Sequence, residues 1–167
     1  MKLHTVCLTL ALSSFYGSLA LAAPLPSKPL ITLSAAKTAV ASIAPLLQKQ
    51  HTANVISVVD DGGHLIYLER ADGAASGMVD ASIKKARTAA NYGFPTKALE
   101  QQIAQGHNGF LGLPGILPME GGVPVMISGQ LIGAVGVAGG VSSDDGAYAE
   151  QIAAALSKLD QVIQEMH

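Results

Sequence analysis

The sequence predicts an α+β domain: an antiparallel sheet of two hairpins, with helices packed on its faces. Three observations carry that prediction. Two pairs of short strands rich in branched residues are each joined by a turn of two or three residues. Segments with apolar residues at three- and four-residue steps precede, separate and follow those pairs. No strand–helix–strand unit carries phosphate-binding glycines, which argues against a dinucleotide-binding sheet.

The elements follow in order. Leu33, Ala36, Val40, Ile43 and Leu47 form the stripe of a first helix, which Thr32 or Ser34 can cap. Pro45 falls inside that stripe and should kink or shorten the helix. Strands are expected over Val55–Val59 and His64–Glu69, with Asp61-Gly62-Gly63 supplying the positive φ of a tight turn. Ser76 can cap a second helix whose buried face carries Val79, Ile83, Ala86 and Ala90; Gly93 and Pro95 end it. A short third helix should run from Thr96 to about Ile103. The stretch Gly106–Gly122, "GHNGFLGLPGILPMEGG", has no clear period, and a loop that long in a small domain signals function or mobility. Val123–Ile127 and Gln130–Ala138 flank Ser128-Gly129 as a second hairpin. A closing helix follows, capped by Ser142 or Ser143, with Asp144-Asp145 at the positive end of its dipole. Its stripe is Ala149, Ile152, Leu156, Leu159, Ile163 and Met166.

Bulk composition narrows the function classes. The chain has 167 residues, enough for one domain with a proper core. Charged residues make up only 13%, against about 25% in ordinary globular proteins. A surface so thinly charged points to a partly covered one, hence a homo-oligomer. Net charge is −2 and the longest basic run is Lys84-Lys85, so nucleic acid is not an expected partner.

Residues 1–22 read as a signal peptide, with Lys2 and His4 at the start, an apolar stretch, and Ala20-Leu21-Ala22 as a small-x-small cleavage site. The expected product is exported, to the periplasm or outside the cell. It consists of an extended lead-in over 23–30 and a single domain over 31–167, with no membrane span. Loss of Lys2 moves the formal charge from −2 to −3. The one cysteine, Cys7, leaves with this segment, which removes disulfide, thiolate-ligand and thiol-nucleophile chemistry.

Three blocks of the domain then stand out: "VVDDGGHLIYLERADGA" (58–74), "ASIKKARTAA" (81–90) and "GGVPVMISGQLIGAVGVAGG" (121–140). Together they resemble the GlcG/HbpS-like haem-binding family, which includes the C-terminal domain of PduO-type adenosyltransferases. The resemblance covers about residues 31–160. It departs from the family pattern at Ala138, where serine is usual, and in the loosely matching Asp144-Asp145-Gly146-Ala147. It implies a profilin-like sheet, assembly into symmetric oligomers, and haem as cofactor. In some members haem degradation, iron binding or redox signalling is implied as well. Other members accompany glycolate or diol oxidation, so a small organic-acid-binding enzyme or accessory protein is the alternative. A sensor or interaction module is a third reading.

The residues able to hold such a ligand can be weighed singly. Arg70 and Asp72 lie two apart, on one side of an extended strand. They form either an ion pair fixing the strand-to-helix corner, joined by Lys84, Lys85 or Arg87, or an anchor for a carboxylate such as a haem propionate. Haem also requires an axial ligand. His107, beside Phe110, Leu111 and Leu113, is the best-placed iron ligand. Met119, Tyr67, Tyr92 and Met126 follow, although Met126 reads as core. His51, beyond a helix, His64, at a turn, and the terminal His167 have structural readings instead. Gly121-Gly122 could present amides to an anion or simply start a strand. Gly133 and Gly136 mark either close helix packing, with Ala153–Ala155 as the facing surface, or a flat ligand against the backbone. Asp60-Asp61 and Glu120 offer carboxylates, but adjacent acids at a turn are usually solvated. No nucleophile elbow and no short histidine spacing occurs, so no catalytic residue is assigned.

Overall fold

A computed structural model describes residues 27–50 and 52–165, with side chains to residue 158. The signal-peptide reading of 1–22, the start of the lead-in, His51 and His167 lie outside the described residues, as do the side chains of Leu159, Ile163 and Met166. Helix α1 spans Leu33–Ala41 and α2 Ala44–Gln50. Strands β1 and β2 are Val55–Asp60 and Leu65–Arg70. Helices α3 and α4 are Gly77–Tyr92 and Thr96–Ala104, followed by a 3-10 turn over Asn108–Gly112. Strands β3 and β4 are Gly122–Ile127 and Gln130–Ala138, and α5 is Ser142–Glu165. The strands form one antiparallel sheet in the order β2-β1-β4-β3, so the two hairpins meet along β1 and β4. The expected α+β class holds.

Local chemistry sets most boundaries. Thr32 Oγ1 accepts the amide of Ala35 at 3.1 Å and caps α1. The first stripe divides at Ser42-Ile43, and Pro45 falls in the first turn of α2, where its missing N–H costs nothing. In the first hairpin Asp60 Oδ1 accepts the amides of Gly62 and His64 at 2.9 and 2.8 Å, and only Gly63 adopts positive φ there (+78°). Ser128 and Gly129 both take positive φ, at 48° and 78°, the geometry of a primed two-residue turn. Gly93 ends α3 in the left-handed conformation. Ser76, however, makes no capping bond with its side chain, because its own backbone is already helical at φ −59° and ψ −36°.

The two faces of the sheet are built differently. On one, Ile56 and Val58 of β1 and Val135 and Val137 of β4 pack with Ala36, Val40, Tyr148, Ile152 and Leu156 from α1 and α5. On the other, Val59 and Ala134 meet Ala86, Ala89 and Ala90 of α3. The central pair on this second face is Ser57 opposite Gly136, and their small size lets α3 come very close. A Cβ on Gly136 would overlap the carbonyl oxygen of Ser82 and lie 2.7 Å from the amide nitrogen of Ala86. Glycine is therefore required by close helix packing, as expected, but the partner is α3 rather than Ala153–Ala155. Met126 is a further correction. Alternation sends its neighbours Val125 and Ile127 into the core and leaves Met126 41% exposed on an edge strand.

Candidate functional site

The loop between α4 and β3 reaches its shape through bonds to the helices beneath it. Thr88 Oγ1 accepts the amide of Leu117 at 2.9 Å, and the Tyr92 hydroxyl donates to the carbonyl of Pro114 at 3.0 Å. Thr96 Oγ1 donates to the carbonyl of Met119 at 2.6 Å and accepts the amide of Gly122 at 2.9 Å. Glu100 accepts the amide of Glu120 at 2.5 Å. Lys97 pairs with Glu120 at 2.8 Å, a contact that raises the pKa of the ammonium above its ordinary value.

At the start of this loop His107, Gly109, Phe110 and Leu113 line a hollow of about 440 Å³. The amide of His107 donates to the carbonyl of Gln102, and the short turn is closed by Leu113 N–H to the carbonyl of Phe110 at 3.0 Å. His107 is exposed, whereas Phe110 and Leu113 are half-buried. Phe110 also lines a second, smaller hollow of about 200 Å³ with Phe94, Ala98, Leu99 and Gln102. An imidazole thus stands at the rim of an apolar, aromatic surface. That donor set suits a flat, largely apolar ligand carrying a metal, and the volume lies within the usual range for small-molecule sites, roughly 300–1,000 Å³. Among the described residues no group of three or more His, Cys, Asp or Glu is placed to hold a bare metal ion.

The other sequence-derived candidates fall elsewhere. Arg70 ends β2, with β1 and β4 between it and β3. Its Nε and Nη2 donate to the carbonyl of Ala74 at 3.1 and 2.5 Å, closing the corner. Asp72, two residues on, is exposed, and no ion pair joins the two among the described residues. Lys85 and Arg87 do not join that corner either: Arg87 donates to the carbonyl of Gly63 at 2.9 Å, and Lys85 is buried elsewhere. Met119 is 46% exposed on the loop. Gly121 and Gly122 are buried; the Gly122 amide is already held by Thr96, so it is not a free donor for an anion. Asp60 holds the hairpin turn and faces the His64 ring at 3.2 Å, while Asp61 pairs with Lys28 at 2.5 Å, a hydrogen bond that lowers the Asp61 pKa.

One polar cluster had no sequence signal. Lys85 Nζ donates to Asp145 Oδ2 and to the carbonyl of Val137, both at 2.9 Å. Asp145 Oδ1 accepts from Asn54 Nδ2 and from the amide of Gly140, both at 3.0 Å. From the sequence Asp145 is expected only as a dipole carboxylate at a helix start. It does stand in the first turn of α5, but buried, where it ties α5 to α3 and to the first residues before β1.

The fold and site together define a small α+β domain that offers a histidine-rimmed apolar hollow on a pinned loop. A family model described as "Haem degrading protein HbpS-like" matches residues 31–154. The chain belongs to the HbpS-like family. It is 40% identical to protein GlcG of Escherichia coli K12 over 111 residues, 66% of this chain and 83% of GlcG. A crystal structure of a double mutant of HbpS from Streptomyces reticuli matches with a TM-score of 0.70 at 34% identity, covering 79% of this chain and 90% of that one. Protein ORFY of Klebsiella pneumoniae matches with a TM-score of 0.72 at 30% identity, over 81% and 97% of the two chains.

Proposed function

We propose that this chain is an exported, oligomeric haem-binding protein that seats haem on the apolar surface beside His107. The observation that carries the reading is the exposed His107 imidazole at the rim of the hollow lined by Gly109, Phe110 and Leu113. Neutral imidazole is a common iron ligand, and an apolar wall favours the porphyrin face. Membership of a family described as haem-degrading supports the choice of cargo. Bound haem iron supplies one-electron and oxygen chemistry, and any haem breakdown would draw on it, with the protein contributing site and orientation. Low charge and the exposed Leu65, Leu111 and Met126 support assembly of several copies. The organic-acid alternative loses three donors on two residues, since the Gly122 amide and the Arg70 Nε and Nη2 are held within the chain.

The test is to purify residues 23–167 and titrate with hemin, following the Soret band. Saturable binding is expected, weakened about tenfold or more in His107→Ala, the scale of losing one ligand bond. A protein whose spectrum ignores added hemin overturns the reading.

A further inference from the structure

We infer that Tyr92 is a positioning residue for the His107–Phe110 hollow, holding its wall in place from α3. What the hollow takes rests on the haem reading above; how the wall is held stands on the unliganded chain.

Thr88, Tyr92, Thr96 and Glu100 recur at four-residue spacing along α3 and α4, and each grips the backbone of the loop. Three of them bind its second half: Thr88 at Leu117, Thr96 at Met119 and Gly122, Glu100 at Glu120. Tyr92 alone of the four reaches its middle, beside the wall of the hollow. Its phenol donates to the carbonyl of Pro114, the residue next to Leu113 in the wall of the hollow. Proline has no N–H, so the backbone at that point has only its carbonyl with which to tie itself down, and Tyr92 supplies the donor. The ring does a second task. It lies 6.2 Å from Phe94, tilted by 40°, and Phe94 lines the smaller hollow that shares Phe110 with the larger one. One side chain therefore braces both walls, through its hydroxyl and through its ring.

The two contributions separate by mutation. Tyr92→Phe keeps the ring and removes the donor; Tyr92→Leu removes both. Hydrogen exchange of the unliganded protein and hemin titration are measured on each, with Tyr67→Phe on the far edge strand as control. In Tyr92→Phe we expect faster exchange confined to residues 108–117, an unchanged thermal midpoint within about two degrees, and hemin affinity lowered roughly three- to tenfold, the worth of one exposed hydrogen bond. Tyr92→Leu should extend the exchange to Phe94 and weaken hemin further. Unchanged loop exchange in Tyr92→Phe overturns the inference, and so does faster exchange with hemin affinity intact. If the wild-type protein does not take up hemin, the haem reading falls on that result alone. Exchange then decides the role of Tyr92: acceleration confined to the loop supports it, and none overturns it.

Discussion

Lys85 and Asp145 meet at 2.9 Å across a gap of 60 residues in sequence, and each side chain is only 3% exposed. Removing one partner leaves a buried charge without its counter-ion, which is strongly destabilising, whereas two well-packed apolar replacements are tolerated far better. Lys85→Met and Asp145→Leu should each lower unfolding free energy by about 3–5 kcal/mol. The double variant should lose clearly less than the sum, measured by urea unfolding as a double-mutant cycle. Additive losses would show that the pair does not act as a unit.

Gly136 and Gly77 form a matched contrast. A methyl at Gly136 collides with backbone atoms of α3 that cannot step aside, while a methyl at Gly77 meets nothing within 4 Å. Gly136→Ala should cost about 3 kcal/mol, at the upper end of overpacking, and Gly77→Ala should change stability by less than about 1 kcal/mol. Thermal melts of the two variants side by side decide it.

Thr96 is fully buried and serves two loop atoms at once, the carbonyl of Met119 and the amide of Gly122. Thr96→Val keeps the shape but leaves that amide without an acceptor, a loss of about 1–3 kcal/mol. Thr96→Ser, which keeps the hydroxyl, should recover most of it. Failure of serine to rescue would mean that the methyl packing matters more than the bonds.

Arg70 distinguishes the two readings of its corner. Its bonds to the carbonyl of Ala74 predict that Arg70→Ala costs about 0.5–1.5 kcal/mol while hemin affinity stays unchanged. A tenfold loss of hemin affinity at unchanged stability would restore the propionate anchor.

Tyr67 donates to Glu69 at 2.6 Å, and that bond pushes the phenol from 10.0 up to about 12. A folded pKa above the unfolded value means that the contribution is complete below about pH 10 and is lost as pH rises through about 12. The tyrosinate absorbance near 295 nm, taken as wild type minus Tyr67→Phe, should titrate late. In Glu69→Gln the midpoint should fall back toward the ordinary phenol.

Much of this architecture is legible along the chain because its causes act over a few residues. Alternation and three-to-four periodicity set the element types, Thr32 starts α1, Gly93 stops α3, and Ser128-Gly129 turns the second hairpin, all within a turn or a pleat of the residue concerned. Even Met126 was within reach, since buried neighbours at Val125 and Ile127 place it on the opposite face. The His107 loop was recognisable by its length and lack of period, but not by how it is held.

What only the tertiary structure decided involves partners far apart in sequence. Nothing near Lys85 announces Asp145, nothing near Gly136 distinguishes α3 from α5 as the helix above it, and nothing near Pro114 points to Tyr92. Those pairings exist because a sheet brings distant strands within 5 Å and a helix then settles onto the smallest side chains it finds. Local chemistry determined which segments fold; packing decided which atoms they meet.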